Sequence, residues 1–201
     1  ILTGAGSRSF CAGLDLKERS QMAEDEIAYS RKFELFPLYF DMEKIDTPIV
    51  AAVNGAAVGG GAELALACDI RIAAAHATFR IPETKWGIIP AAGAIQRLPQ
   101  IAGAGIAREL ILTGRTISAE QAKDYGIFNH VVEADTLMES ATQLCEEIGG
   151  NSSVAVKRAK AALNFRDSVY YGMWFDVMSS ENCYQCADRE EGTRAFAAKR
   201  K

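Results

Sequence analysis

Residues Asn54–Asp69 read N-G-A-A-V-G-G-G-A-E-L-A-L-A-C-D and carry the strongest structural signal in the chain. Asn54-Gly55 is a turn signal, and the three glycines that follow open a helix expected to begin near Ala62. The short apolar runs Pro48–Val53 and Asp69–Ala74 on either side are typical of buried strands. This strand–turn–helix–strand order predicts α/β layering.

Helical patterns flank this unit. Upstream, Gln21–Ile45 has a helical pattern that Pro37 is expected to break or kink. Downstream, Ser118 and Gln121 form a capping-box pattern, and the helix they begin is expected to stop at Gly126.

The last part of the chain is predicted to be helical throughout. One helix is expected after Asp135, closed by Gly149-Gly150, and long helices are expected from Ser153 onward. The change from short strands and glycine-rich turns to helices predicts two parts: a catalytic core over residues 1–130 and a helical region over residues 131–201.

Composition excludes several classes of protein. The 201 residues are 49% hydrophobic and 24% charged, which is typical of a globular chain and excludes disorder, collagen and coiled coil. The net charge of −4 predicts no bulk attraction to nucleic acid or to an anionic membrane. No apolar run approaches the length of a membrane span, and the residues given show no pattern expected of a signal peptide.

Cysteine usage and the first residues complete this picture. Five cysteines, an odd number without repeated spacing, indicate reduced thiols in a cytosol-like compartment. The lone C-x-x-C at Cys183–Cys186 lacks a second pair, so two core cysteines are favoured over a metal or redox site. Because Ile1-Leu2-Thr3-Gly4 looks like the end of a strand already in progress, a preceding segment is expected.

The glycine-rich turn offers hydrogen-bond donors. Three glycines at a helix N-terminus expose backbone N–H groups that suit a phosphate or a developing oxyanion, although close helix–strand packing explains such turns equally well. Phosphate-loop and dinucleotide-binding patterns are not convincing here. Glu63, in the first turn of this apolar helix, is either a carboxylate favoured by the helix dipole or a functional acid.

Two more features complete a candidate catalytic set. Glu83 lies in the apolar segment Phe79–Gly93. It is either a functional acid or an ordinary acidic residue of a surface loop. Gly13 allows an unusual turn, so the N–H of Leu14 could be a second donor. An ordinary corner between a strand and a helix would have the same sequence pattern. Two carboxylates beside free N–H donors suit proton transfer at a carbon next to a carbonyl. Apolar surroundings would raise the carboxyl pKa, and the helix terminus would lower it at Glu63.

These motifs together resemble the enoyl-CoA hydratase/isomerase (crotonase) family, and the similarity covers essentially the whole chain. The family's first strands and first CoA-contacting loop have no counterpart here. The motifs that carry the resemblance are L-T-G-A-G-S-R-S-F-C-A-G-L-D-L at Leu2–Leu16, P-I-V-A-A-V-N-G-A-A-V-G-G-G-A-E-L-A-L-A-C-D-I at Pro48–Ile70, F-R-I-P-E-T-K-W-G-I-I-P-A-A-G at Phe79–Gly93, L-T-G-R-T-I-S-A-E-Q-A at Leu112–Ala122 and the ending at Arg189–Lys201.

The resemblance implies an α/β fold, a spiral of ββα turns with a C-terminal helical region that builds homotrimers, often paired as dimers of trimers. It also implies an acyl-CoA thioester as substrate, with no metal or redox cofactor, since coenzyme A is part of the substrate. The expected location is the cytoplasm, or the mitochondrial matrix in a eukaryote.

The resemblance also assigns roles to residues. It implies an oxyanion hole made by the N–H groups of Leu14 and Gly60, with Glu63 mainly as the base for water and Glu83 exchanging the proton at the α-carbon. The implied reaction is syn addition of water to a trans-2-enoyl-CoA. Further residues are expected in the substrate-binding site: Ala12, Gly13, Asp15, Gly59, Pro82, Trp86 and Ala91.

Two other functions stay open at this point. Isomerase members typically keep an acid only at the position of Glu83, so Glu63 favours hydration over double-bond migration. A catalytically weak acyl-CoA-binding subunit is the third possibility. Three departures bear on the site: Arg80 could place a cation near Glu83 and lower its pKa, Trp86 could reshape the acyl pocket, and Ala91 could offer its N–H to the water.

Overall fold

The computed structural model describes residues 1–15, 18 and 21–165. The predicted C-x-x-C pair, the ending at Arg189–Lys201 and any helix beyond residue 165 lie outside the described residues.

Within the described residues, eight short strands form two four-stranded sheets. In chain order the strands are β1 (Leu2–Thr3), β2 (Ser9–Cys11), β3 (Val50–Val53), β4 (Ala56–Val58), β5 (Ile70–Ala74), β6 (Thr78–Arg80), β7 (Thr116–Ser118) and β8 (His130–Val132). The first sheet has the order β1-β3-β5-β8 and is parallel throughout. The second has the order β2-β4-β6-β7, in which only the β6–β7 pair is antiparallel.

The chain alternates between the two sheets as it advances. Each of β1, β3 and β5 belongs to the first sheet, and the strand that follows it belongs to the second. Each such pair of strands leads into a helical segment, so the repeating unit is ββα, and successive units add one parallel strand to each sheet. This architecture confirms the predicted α/β spiral.

Helices complete the units. They are α1 (Glu24–Tyr29), α2 (Phe36–Lys44), α3 (Gly60–Ala67), α4 (Ala94–Thr113), α5 (Ala119–Asp124), α6 (Leu137–Gly149) and α7 (Ser153–Asn164), with a π-helix at Ser30–Leu35 and a 3-10 helix at Glu83–Trp86. Pro37 lies in the first turn of α2, where a proline costs no intrahelical hydrogen bond. The expected interruption therefore takes the form of a π-helix just before it.

The capping box is confirmed. The Ser118 hydroxyl accepts from the N–H of Gln121 at 3.2 Å, and the Gln121 side chain accepts from the N–H of Ser118 at 3.1 Å. Gly126, with a φ of 76°, follows the end of α5 as expected.

Side-chain contacts of Asn54 join successive units. Its Oδ1 accepts from the N–H of Gly4 at 3.0 Å, and its Nδ2 donates to the carbonyl of Gly6 at 2.8 Å. Because Gly4 follows β1 and Asn54 follows β3, the amide connects the chain after one strand of the first sheet to the chain after its neighbour.

The core is built mainly from small aliphatic residues, which let helix and strands approach closely. Ala62 and Ala65 of α3 are fully buried. The rings of Phe79 and Phe128 meet edge to face with centroids 6.1 Å apart. Arg71 is also buried, where its guanidinium donates to carbonyl oxygens of the helix α3 and its C-terminal turn and to the carbonyl of Ile127.

The chain divides into two compact units. The first comprises residues 1–43 and 49–144, and the second comprises residues 44–48 and 145–201. Within the second unit, Lys160 Nζ donates to the carbonyl of Thr47 at 3.0 Å. The predicted division into a catalytic core and a helical region at residue 130 stays a prediction. Among the described residues, no helix has the length and apolar character needed to cross a membrane.

Candidate active site

The Glu63 carboxylate lies at the N-terminus of a second helix as well as in the first turn of its own. Its Oε1 accepts from the N–H of Ala92 at 2.8 Å and from the N–H of Ala94, the first residue of α4, at 3.0 Å. Only 3% of the residue is exposed. One carboxylate oxygen is therefore held by two backbone donors, which fixes the direction in which the other oxygen points.

Opposing effects act on the pKa of Glu63. Burial raises the pKa and is the largest effect, and the negative charge of Glu83 raises it further. The N–H groups of Ala94 and Ala92 and the positive charge of Arg97 lower it. The net pKa is above its ordinary value of 4.5, as the sequence led us to expect from apolar surroundings opposed by a helix terminus.

Glu83 brings a second carboxylate into the same site. It is the first residue of the 3-10 helix, and its Oε1 lies against Gly59, where an added Cβ would come within 2.9 Å of it. Its Oε2 is buried and, among the described residues, has no hydrogen-bond partner. Burial raises the pKa of Glu83 above 4.5, opposed by a hydrogen bond from its own backbone N–H. Each carboxyl group thus favours its protonated form more than it would in water.

The turn at Gly13 lies against the start of α3. Gly13 has a φ of 85°, and an added Cβ would come within 2.9 Å of the carbonyl oxygen of Val58 and 3.3 Å of the nitrogen of Gly60. Within the described part of the chain, neither the N–H of Leu14 nor that of Gly60 makes a hydrogen bond. The structure therefore brings the two predicted donors to neighbouring segments.

Tyr39 is a site residue that the sequence analysis missed. Its hydroxyl donates to the carbonyl of Gly60 at 2.9 Å. Burial, followed by the nearby Glu63, Cys11 and Glu83, raises its pKa to about 12, so the phenol stays neutral at any physiological pH. A tyrosine among the hydrophobic residues of α2 gave no signal of this role in the sequence.

Arg97 is the second missed residue, and one signal could have revealed it. Its guanidinium is buried and makes three hydrogen bonds, to Glu43, Ala92 and Tyr39. A cation in the first turn of a helix opposes the helix dipole. An arginine at that position in an apolar segment should therefore have indicated a buried partner.

The remaining predicted residues border these groups in different ways. Gly59, with a φ of 56°, precedes α3 and contacts Glu83, while Pro82 is buried directly before Glu83. Ala91 is exposed next to the Ala92 that holds Glu63. Trp86 is 62% exposed.

Two predicted residues lie near the turn at Gly13. Ala12 and Asp15 are exposed beside it, and the Asp15 carboxylate accepts from the N–H of Glu18 at 3.3 Å.

The expectation that Arg80 lowers the pKa of Glu83 is wrong. The Arg80 guanidinium donates through Nε to the carbonyl of Gly114 at 3.0 Å, and the pKa of Glu83 is raised, with no contribution from Arg80. This hydrogen bond joins the Arg80 side chain to the turn that follows α4.

Metal ligation has no support among the described residues, where no group of three or more histidine, cysteine or acidic side chains is suitably placed. The absence of a cofactor stays an expectation.

Comparisons with known proteins place the chain in one family. The family model described as Enoyl-CoA hydratase/isomerase matches residues 1–201. The chain belongs to this family. It is 40% identical over its whole length to a short-chain-enoyl-CoA hydratase of Clostridium acetobutylicum, of which it covers 77%, and 39% identical to a mitochondrial enoyl-CoA hydratase of Pongo abelii, of which it covers 69%.

A solved structure shares the fold. The crystal structure of an enoyl-CoA hydratase from Bacillus anthracis aligns with a TM-score of 0.94 and 43% identity, over 98% of this chain and 77% of that one. The predicted crotonase-type fold is thereby confirmed.

Proposed function

We propose that the protein is an enoyl-CoA hydratase, a hydro-lyase that adds water syn to a trans-2-enoyl-CoA to give a 3-hydroxyacyl-CoA. Relatives about 40% identical carry this activity in their names, which disfavours the isomerase alternative. The observation that carries the proposal is the contrast between two neighbouring carboxyl groups. Glu63 is held at one oxygen by two N–H groups, whereas Glu83 has a buried oxygen with no partner among the described residues.

The N–H groups of Leu14 and Gly60 would bind the thioester oxygen. Addition of water places negative charge on that oxygen as the enolate forms, and fixed N–H donors stabilise such charge without reorganising. Gly60 is well suited to this role because it begins a helix, where its N–H has no intrahelical acceptor.

The two glutamates would divide the proton transfers. The water oxygen bonds to the β-carbon while Glu63 takes one of its protons, and the electron pair of the double bond moves toward the thioester. Glu83 then supplies a proton to the α-carbon, and transfer of the proton from Glu63 to Glu83 restores the starting state. Burial favours the protonated form of Glu83 that this order requires.

The cofactor, assembly and location are proposals that rest on the family. We expect catalysis without metal or redox cofactor and a homotrimer or dimer of trimers. The location would be the cytoplasm, or the mitochondrial matrix if the source is eukaryotic.

The test is hydration of crotonyl-CoA by the parent chain and by Glu63→Gln and Glu83→Gln. Each substitution keeps the shape of the side chain and removes the proton-transfer group, so turnover should fall by roughly 10²–10⁴-fold. Glu133→Gln, an exposed acid, is the control and should match the parent. Parental rates in both site variants would refute the assignment, and acyl-CoA binding without turnover in the parent would support a binding subunit instead.

A further inference from the structure

The Arg97 guanidinium occupies a position that needs explanation. It is 6% exposed and lies in the first turn of α4, where the helix dipole disfavours a cation. Burying an arginine there is tolerable only if its donors are satisfied. Nε donates to Glu43 Oε1 at 2.7 Å, which is an ion pair, and the two terminal nitrogens donate to backbone carbonyls.

One of those carbonyls belongs to the segment that holds Glu63. Arg97 donates to the carbonyl of Ala92 at 2.9 Å, and the N–H of the same residue donates to Glu63 at 2.8 Å. Ala92 is therefore fixed from one side by the guanidinium and presents its N–H on the other. A Cβ on Gly93 would collide with the guanidinium, so the segment and the arginine are packed without space between them.

The other carbonyl connects Arg97 to the start of α3, where Gly60 is one of the two proposed N–H donors. It belongs to Tyr39, at 3.0 Å, and the hydroxyl of that residue donates to the carbonyl of Gly60 at 2.9 Å. Arg97 thus contacts Ala92, which helps to orient the Glu63 carboxylate, and also α2, whose Tyr39 contacts the start of α3.

We propose that Arg97, held by Glu43, is a positioning residue for Glu63: it fixes the peptide of Ala92 so that two N–H groups grip one carboxylate oxygen and leave the other for water. This inference rests on the proposed hydratase function. A misplacement of about 1 Å in such a site can cost about 10²-fold in rate, so loss of the guanidinium should be visible in kcat.

The charged and titratable groups around Glu63 set the expected pH response. Glu83 raises the pKa of Glu63, Arg97 lowers it, and the neutral Tyr39 lies close to both acids. Without Arg97 the pKa of Glu63 should rise further. Because a base must be ionised to accept a proton, the acid limb of the kcat/KM profile should then move to higher pH.

A double-mutant cycle tests the inference. Arg97→Met should lower kcat for crotonyl-CoA hydration about 10–100-fold, with KM changed less than about threefold. In a Glu63→Gln background the same substitution should change the residual rate less than about threefold, because no base remains to be positioned. Arg108→Met, an exposed arginine of the same helix, should match the parent.

The outcomes separate this inference from the proposed function. If Arg97→Met lowers the rate by the same factor in both backgrounds, or leaves the acid limb in place, Arg97 is only structural and the inference is wrong. If Glu63→Gln alone keeps the parental rate, the hydratase proposal fails and Arg97 has no base to position. Should Arg97→Met not fold, Arg97→Lys runs through the same cycle and is judged by the rate factors alone, since it keeps the charge that acts on the pKa of Glu63 but not the three-way hydrogen bonding.

Discussion

Gly59 provides a sharp test of how the Glu83 carboxylate is placed. Its backbone has a φ of 56° and a ψ of −125°, and an added Cβ would lie 2.9 Å from Glu83 Oε1. Ordinary contacts begin at 3.4 Å, so Gly59→Ala requires a shift of 3.4 − 2.9 = 0.5 Å. Because Oε1 is the end of a flexible side chain, the Glu83 carboxylate should move rather than the backbone at Gly59.

Both activity and stability should respond to this substitution. If a displacement of about 1 Å costs about 10²-fold in rate, a displacement half as large predicts roughly a tenfold fall in kcat for crotonyl-CoA hydration. The unfavourable φ adds about 1–3 kcal/mol of destabilisation. For a chain of this size that lowers Tm by roughly 2–12 °C. Steady-state kinetics and thermal unfolding by circular dichroism measure the two effects separately.

Gly103→Ala is the matched control. Gly103 also has a positive φ, 80°, but nothing lies within 4 Å of the Cβ that alanine would add. It should lose stability to a similar extent and keep its kcat. If Gly59→Ala and Gly103→Ala lose equal stability and both retain parental kcat, Gly59 does not position Glu83.

Two further predictions concern stability. Burial raises the pKa of Glu83 above 4.5, so the folded chain binds that proton more tightly than the unfolded chain, and stability is lost as pH rises from 4.5 through the folded pKa. Glu83→Gln removes this loss. Its Tm should exceed the parental Tm at pH near 8, but the variant should have no such advantage at a pH below 4.5, the ordinary pKa of the carboxyl group. A difference in Tm that does not change with pH in unfolding scans would contradict this prediction. Arg71→Met leaves carbonyls of Cys68 and Ile127 without their charged donor, which should cost about 2–5 kcal/mol. Thermal unfolding should then show a Tm lower by at least about 4 °C, with exposed Arg108→Met as control; a parental Tm would contradict the prediction.

Much of the fold could be predicted because its signals are local. Glycines before an apolar helix, two β-rich runs and the capping box at Ser118 each act over a few residues. Strands such as β4, Ala56–Val58, were missed because three residues carry too little periodicity to be recognised. Their existence depends on pairing with β2 and β6, which are distant in sequence.

The site was predictable in part for the same reason. Glu63 follows the glycine-rich turn directly, and its chemistry is apparent from that position. The residues that orient it are not local: Ala92 and Arg97 are brought to it only by the packing of α4, and Tyr39 by the packing of α2. The expectation that Arg80 lowers the pKa of Glu83 was wrong because the Arg80 guanidinium donates to the carbonyl of Gly114, which is distant in sequence.

The most direct test of the two-carboxylate account is isotope incorporation from labelled water. With crotonyl-CoA in deuterated, heavy-oxygen water, the parent should yield a 3-hydroxyacyl-CoA carrying the heavy oxygen at the β-carbon and one deuterium at the α-carbon, added to the same face. Glu83→Gln should slow exchange of the α-proton in the isolated product by orders of magnitude. Product that lacks α-deuterium, or undiminished α-proton exchange in that variant, would contradict the account.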